Sequence, residues 1–143
     1  MNRMLVLIHL AAVIIWLGGM FFAHVCLRPV AAALLMPPQR LPLLAAVLGR
    51  FFVFVGVALV LLWGSGLVRF AQVDSAASGI PPNWWAMAGI ASAMSAIFGL
   101  IVLRFHRRML VAVAAQDWPT AGAAMNTIRK LVLTNLLLSL IHI

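Results

Sequence analysis

The sequence predicts an all-α protein, an integral membrane bundle of four antiparallel helices that forms one transmembrane domain over residues 1–143. Two observations lead to this prediction. Of the 143 residues, 66% are hydrophobic and only 8% are charged, whereas soluble domains carry about 25% charged residues. Three uncharged stretches come close to or exceed the roughly 20 residues that a helix needs to cross a ~30 Å hydrocarbon core, and a shorter fourth follows Lys130. This composition excludes a water-soluble globule.

The first predicted helix covers residues 4–28, because no charged residue stands between Arg3 and Arg28. The next stretch, residues 29–50, contains four prolines and two arginines. Prolines interrupt helices and arginines favour a water interface, so we expect a loop here that ends in an amphipathic lead-in. The second predicted helix covers residues 51–69.

The third and fourth helices are predicted over residues 84–115 and 119–143. A polar, turn-rich connection precedes the pair Trp84-Trp85, and paired tryptophans are typical of the membrane interface. The start of the fourth helix is indicated by Asp117, an N-cap residue, and by Pro119 in the first turn.

The basic residues are divided unequally between the two ends of this bundle. Arg3 and Arg69 lie at the end that holds the termini. The other eight lie at the opposite end: Arg28, Arg40, Arg50, Arg104, Arg107, Arg108, Arg129 and Lys130. The positive-inside rule then predicts a multi-pass protein of the cell inner membrane with both termini in the periplasm. The formal net charge of +8 therefore reflects topology, with the lipid bilayer and no nucleic acid as partner.

The four histidines are sorted by depth into an outer and an inner pair. At 1.5 Å per residue, His9 lies about 8 Å and His142 about 12 Å from the outer boundary. His24 and His106 lie about 30 Å and 33 Å down, among arginines at the inner boundary, where we expect water to satisfy both rings. Ionisable residues inside a membrane are rare and indicate function. The outer pair is therefore the candidate site.

The outer pair suits two ligands. Its two imidazoles and the soft thioethers of Met87 and Met94, which lie on one face of the third helix at similar depth, predict a copper site. The same two imidazoles, as axial ligands, would suit the iron of a haem b that transfers electrons. The alternative without a ligand is that His9 forms a hydrogen bond across helices and that His142 is a frayed terminal residue.

The first helix has one face that we expect to point into the bundle. His9, Trp16 and Met20 fall within about 40° of one another on it, which places Met20 deeper along a copper path. The pair Gly18-Gly19 predicts a close helix approach. The expected partner is a surface of small residues formed by Gly56, Gly64 and Gly66.

Several chemistries lack the residues that they need. The membrane runs contain no acidic residue, the chain has no tyrosine, and it has no Gly-rich phosphate loop or Ser/His/Asp set. Acid–base or hydrolytic catalysis is disfavoured, so we expect a protein that is not an enzyme. The lone Cys26 excludes an internal disulfide. A non-catalytic subunit of a larger membrane complex, or a homo-oligomer, stays open as an alternative.

The stretch from His9 through Trp16 and Gly18-Gly19 to Phe21-Phe22 resembles the first helix of the CopD family of copper-resistance membrane proteins and of the related HemJ-type protoporphyrinogen oxidases. Further similar motifs are Leu27-Arg28-Pro29, Pro38-Gln39-Arg40, Arg50-Phe51-Phe52, Ser65-Gly66, Trp84-Trp85, Ala115-Gln116-Asp117-Trp118-Pro119, Ile128-Arg129-Lys130 and Asn135. The resemblance spans nearly the whole chain. It implies copper uptake or tolerance, or haem binding, with His9 as the residue most important for either.

Two features depart from the resemblance. HemJ-type proteins carry a lysine in the third helical region, and residues 83–94 contain none, which argues against protoporphyrinogen oxidation. The fourth helix stops at Ile143, where the resemblance implies several more residues.

Overall fold

The computed structural model describes residues 3–73 and 79–142, which contain helices and no β-strand. The helices are α1 (Arg3–Leu34), α2 (Pro37–Ala71), α3 (Pro82–Ala114) and α4 (Trp118–His142). Each is long and apolar enough to cross a membrane. The prediction of an all-α fold with four apolar helices is confirmed, and its architecture is compatible with a membrane bundle.

The segment expected to be a loop is helical. α1 continues to Leu34 and α2 begins at Pro37, so only two residues connect them. Prolines are tolerated in the first turn of α2, where the backbone N–H groups have no partner within the helix, although Pro42 lies inside it. The same segment buries Leu41, Leu44, Ala45 and Leu48 at helical spacing. This packing outweighs the hydrogen bond that Pro42 removes.

Two π-helical segments interrupt the long helices, at Phe22–Leu27 in α1 and at Ile101–His106 in α3. Each contains one of the two inner histidines, His24 and His106. A π turn holds an extra residue and changes the direction in which neighbouring side chains point. The two segments separate an apolar half of the bundle from a basic half.

We call these regions the terminal half (residues 3–21, 53–71, 82–100 and 131–142) and the basic half (residues 22–52 and 101–130). Eight of the ten lysines and arginines are in the basic half. Most of the buried hydrophobic side chains are also there, including Ile101, Met109, Ala121 and Ile128, none more than 2% exposed. The basic half is therefore the more closely packed of the two.

The connection between α3 and α4 is a Schellman motif joined directly to an N-cap. Gln116 has a φ of 55°, and the Asp117 N–H donates to the Ala112 carbonyl at 2.9 Å. The Asp117 carboxylate accepts from the Thr120 N–H at 3.2 Å, which confirms the predicted N-cap. Hydrogen bonds from the Thr120 side chain and backbone lower the pKa of Asp117.

At Gly19, α1 lies directly against the Phe51 side chain of α2. A Cβ atom at Gly19 would collide with the ring of Phe51. The surface of Gly56, Gly64 and Gly66 does not receive α1, because a Cβ at any of these positions, or at Gly18, would meet no atom of the described residues within 4 Å. The expected pairing of Gly18-Gly19 with this surface was wrong, because Gly19 accommodates the aromatic ring of Phe51 instead of a second small residue.

Candidate functional site

A cavity of about 430 Å³ lies in the terminal half. All four helices contribute to its wall. Its lining includes each of the five residues singled out as candidate ligands: His9, Met20, Met87, Met94 and His142. Two imidazoles and three thioethers from three different helices therefore surround one space.

The five side chains differ in burial. Met20 and Met94 are buried at 2% and 5% exposure, whereas His9 and His142 are half-buried. Met87 is exposed, so it stands at the edge of the cavity. Exposure therefore decreases from the accessible thioether of Met87 to those of Met20 and Met94, which are shielded from solvent.

His9 is held by a hydrogen bond from α1 to α2. Its Nδ1 atom lies 2.9 Å from the Ser65 hydroxyl oxygen, and Ser65 is itself buried. The interhelical hydrogen bond expected in the absence of a ligand is therefore present. It uses only one of the two ring nitrogens and so leaves the other for a ligand.

Ser65 was not among the predicted site residues. A serine in an apolar helix is common, and 56 residues separate it from His9. Only the antiparallel packing of α1 on α2 brings the two together.

His142 has a nitrogen that no described residue satisfies. Its Nδ1 atom is buried and has no hydrogen-bond partner among the described residues. The ring lines the same cavity as His9. A buried nitrogen without a partner is unfavourable, and a bound ligand would relieve that cost.

Asn135 connects α4 to the backbone beside a candidate ligand. Its side-chain amide donates to the Met94 carbonyl at 3.2 Å, and the residue is only 1% exposed. The Asn135 side-chain oxygen is buried without a partner in the described part of the chain. Asn135 thereby fixes the height of Met94 relative to α4.

His106 does not match the expectation that water satisfies both inner histidines. His106 is buried, and its Nε2 atom lies 3.0 Å from the Ala45 carbonyl oxygen. Its ring packs edge-on against Phe52, with centroids 5.1 Å apart. A Cβ at Gly49 would lie 3.3 Å from the same ring. His106 is thus a core residue bonded to the main chain, because the helices continue beyond the arginines and enclose it.

His24 has a different environment. It is half-buried and interacts electrostatically with Arg28 and Arg129. These positive charges would repel a metal cation. The main-chain hydrogen bond of His106 and the positive charges near His24 thus both disfavour a metal site at the inner histidines.

A smaller cavity of about 260 Å³ adjoins the first. Its lining includes Ser65, Arg69 and Trp84, and the Arg69 guanidinium lies 5.4 Å from the Trp84 ring centroid. His9 and Met87 line both cavities. His9 therefore lies between the two cavities, near the end of the bundle that holds the termini.

The composition of the lining restricts which metal it suits. In the described ranges, no group of three or more His, Cys, Asp or Glu residues is placed to hold a metal ion. A metal in the larger cavity would depend on the methionines in addition to His9 and His142. Thioether and imidazole donors without carboxylates suit copper(I) and do not suit magnesium or calcium.

No family model, no curated protein and no solved structure matches this chain.

Proposed function

We propose that the protein is a multi-pass protein of the inner membrane that handles copper(I), in uptake or tolerance, through the His/Met cavity of the terminal half. The observation that supports this function is the presence of His9, His142, Met20, Met87 and Met94 in the lining of one cavity. Copper is the substrate in this proposal.

The donor chemistry favours the cuprous ion. Copper(I) is soft and binds well to neutral thioether and imidazole donors. Neutral ligands in an apolar cavity leave a single positive charge, which costs less to bury than the charge of a divalent cation. Met87, at the edge, would meet the ion first, and the buried Met20 and Met94 would complete the site with His9.

The proposed orientation follows from the charge distribution. Eight basic residues in the basic half favour the cytoplasmic side, which places the cavity and both termini towards the periplasm. Cysteine labelling tests this orientation. In a Cys26→Ala background, Gly79→Cys should react with an impermeant maleimide added to spheroplasts, and labelling only after lysis would contradict the topology.

Copper binding is tested by titrating purified protein with copper(I) against a competing chelator. We expect one high-affinity ion for the unmodified chain and at least a hundredfold weaker binding for His9→Ala. The control is His24→Ala, which removes a half-buried histidine from the basic half and should leave affinity within twofold. Absence of copper binding to the unmodified protein would refute the function.

Haem b is the second candidate, and one observation favours it. His9 and His142 line one largely apolar cavity from two helices, and these two residues would hold the haem iron. Protein produced in cells supplied with a haem precursor would then show a Soret band that His9→Ala loses. A colourless protein that binds copper(I) would favour the copper function.

A further inference from the structure

The hydroxyl of Ser65 makes two contacts that bear on which nitrogen of His9 carries the proton. Its oxygen lies 2.9 Å from His9 Nδ1 and 3.1 Å from the Leu62 carbonyl oxygen. Because a carbonyl can only accept, both contacts are hydrogen bonds only when the hydroxyl donates to Leu62 and its oxygen accepts from a protonated Nδ1. A hydroxyl that donated to Nδ1 would leave the Leu62 contact without a proton.

A neutral imidazole carries one N–H, so protonation at Nδ1 leaves a lone pair on Nε2. The two ring nitrogens point in different directions. Ser65 lines the smaller cavity and is absent from the lining of the larger one, whereas His9 lines both. Nε2 is therefore the ring nitrogen that is not bonded to Ser65 and is left for a ligand.

We propose that Ser65 is a positioning residue that fixes His9 as its Nδ1–H tautomer and presents Nε2 as the metal-binding atom. Metal-bound histidines commonly donate their second N–H to a fixed acceptor, which orients the ring and increases its basicity. The role in metal binding rests on the proposed copper function. The tautomer itself is a property of the metal-free protein and can be measured without copper.

Burial makes Ser65 suited to this role. Its side chain is 6% exposed, so water competes little for the His9 proton. The hydroxyl is also constrained by its bond to the preceding turn of α2. Without the hydroxyl, Nδ1 would lose its acceptor and the ring would be free to exchange tautomers and rotate.

The first test is nitrogen-15 NMR of ring-labelled histidine in the metal-free protein, with the His9 resonances assigned by comparison with His9→Gln. We expect the Nδ1–H tautomer in the unmodified protein. Ser65→Ala should shift His9 towards the Nε2–H form, and Ser65→Thr, which keeps a hydroxyl, should restore the Nδ1–H form.

The second test measures copper(I) affinity for the same variants by chelator competition. Ser65→Ala should bind 10–100-fold more weakly, the usual effect of removing the partner of a metal-bound histidine. Ser65→Thr should recover most of the loss. The matched control is Ser92→Ala: Ser92 lines the larger cavity but does not contact His9, and its hydroxyl, like that of Ser65, bonds the preceding turn, at Ala88. This control should change neither tautomer nor affinity.

The outcomes separate the positioning role from the copper function. An Nε2–H tautomer in the unmodified protein, or a tautomer that Ser65→Ala leaves unchanged, would overturn the proposal whether or not copper binds. A fixed Nδ1–H tautomer in a protein that binds no copper would refute the copper function and the metal role of Nε2, while supporting the tautomer assignment. An affinity loss equal in Ser65→Ala and Ser92→Ala would also overturn the positioning role.

Discussion

The two halves of the bundle use histidine in opposite ways. In the basic half, His106 is buried, bonded to the Ala45 carbonyl and packed against Phe52. In the terminal half, His9 is half-buried beside a cavity of about 430 Å³, and His142 has a buried nitrogen without a partner among the described residues. The same side chain supports packing in one region and is available for a ligand in the other.

This difference shows why burial and residue type alone do not identify a site. A core histidine satisfied by the main chain fills space and forms hydrogen bonds, as the interior of any close-packed domain requires. The histidines of the terminal half border a space that the protein leaves unfilled. The property that distinguishes them is the presence of several unused donor atoms around a common cavity.

The largest expected effects come from replacing His9 or His106 by alanine and measuring both copper(I) affinity and stability for each variant. His9→Ala should weaken copper(I) binding at least a hundredfold and lower stability by only about 0.6 kcal/mol, the average for hydrogen bonds between membrane helices. His106→Ala should lower stability by about 2–4 kcal/mol, because it removes a buried ring and its hydrogen bond. Its copper affinity should be unchanged.

Chelator competition and unfolding in mixed detergent micelles measure the two quantities. A His106→Ala protein of normal stability, or one that lost copper binding while folded, would remove the distinction between the halves.

The sequence was informative about helix content because apolar run length determines which segments can cross a membrane. It was misleading over residues 29–50, which were expected to form a loop. There the prolines suggested an interruption, yet the helix around Pro42 buries Leu41, Leu44, Ala45 and Leu48. That stabilisation comes from contacts with α3 and α4. Helix propensity is a local property of each residue and does not include such tertiary contacts.

His9, His142, Met87 and Met94 were grouped from their depth, since residues at equal heights in an antiparallel bundle become neighbours, and Met20 was added from the helix face that it shares with His9. All five line one cavity. It did not reveal Ser65 or Asn135, because the side chains that meet across an interface depend on helix rotation as well as height. The same limitation applies to His106, which was expected to contact water and is buried.

A smaller effect is expected from filling space in each half with the same substitution. Ala121 lies in the basic half and is fully buried, whereas Ala91 lines the cavity of the terminal half. Ala121→Leu should destabilise by about 1–3 kcal/mol through overpacking. Ala91→Leu has room and should change stability by less than about 0.5 kcal/mol. Equal losses in the same unfolding assay would contradict the assignment of an open and a close-packed half.

The smallest expected effect concerns Asp117, which lies at the exposed end of the basic half and caps α4. Hydrogen bonds from the side chain and backbone of Thr120 lower the pKa of Asp117, so folding favours the ionised carboxylate. Its contribution to stability is present above the unfolded pKa and is lost as the pH falls through the lower, folded value.

Asp117→Asn keeps an oxygen that can accept from the Thr120 N–H but cannot ionise. We expect the unmodified protein to melt at most a few degrees higher than this variant near neutral pH, and the difference to vanish in acid. Because the carboxylate is exposed, added salt should reduce the difference as well. A difference in melting temperature that stayed constant from neutral pH to acid would show that ionisation of Asp117 does not stabilise the start of α4.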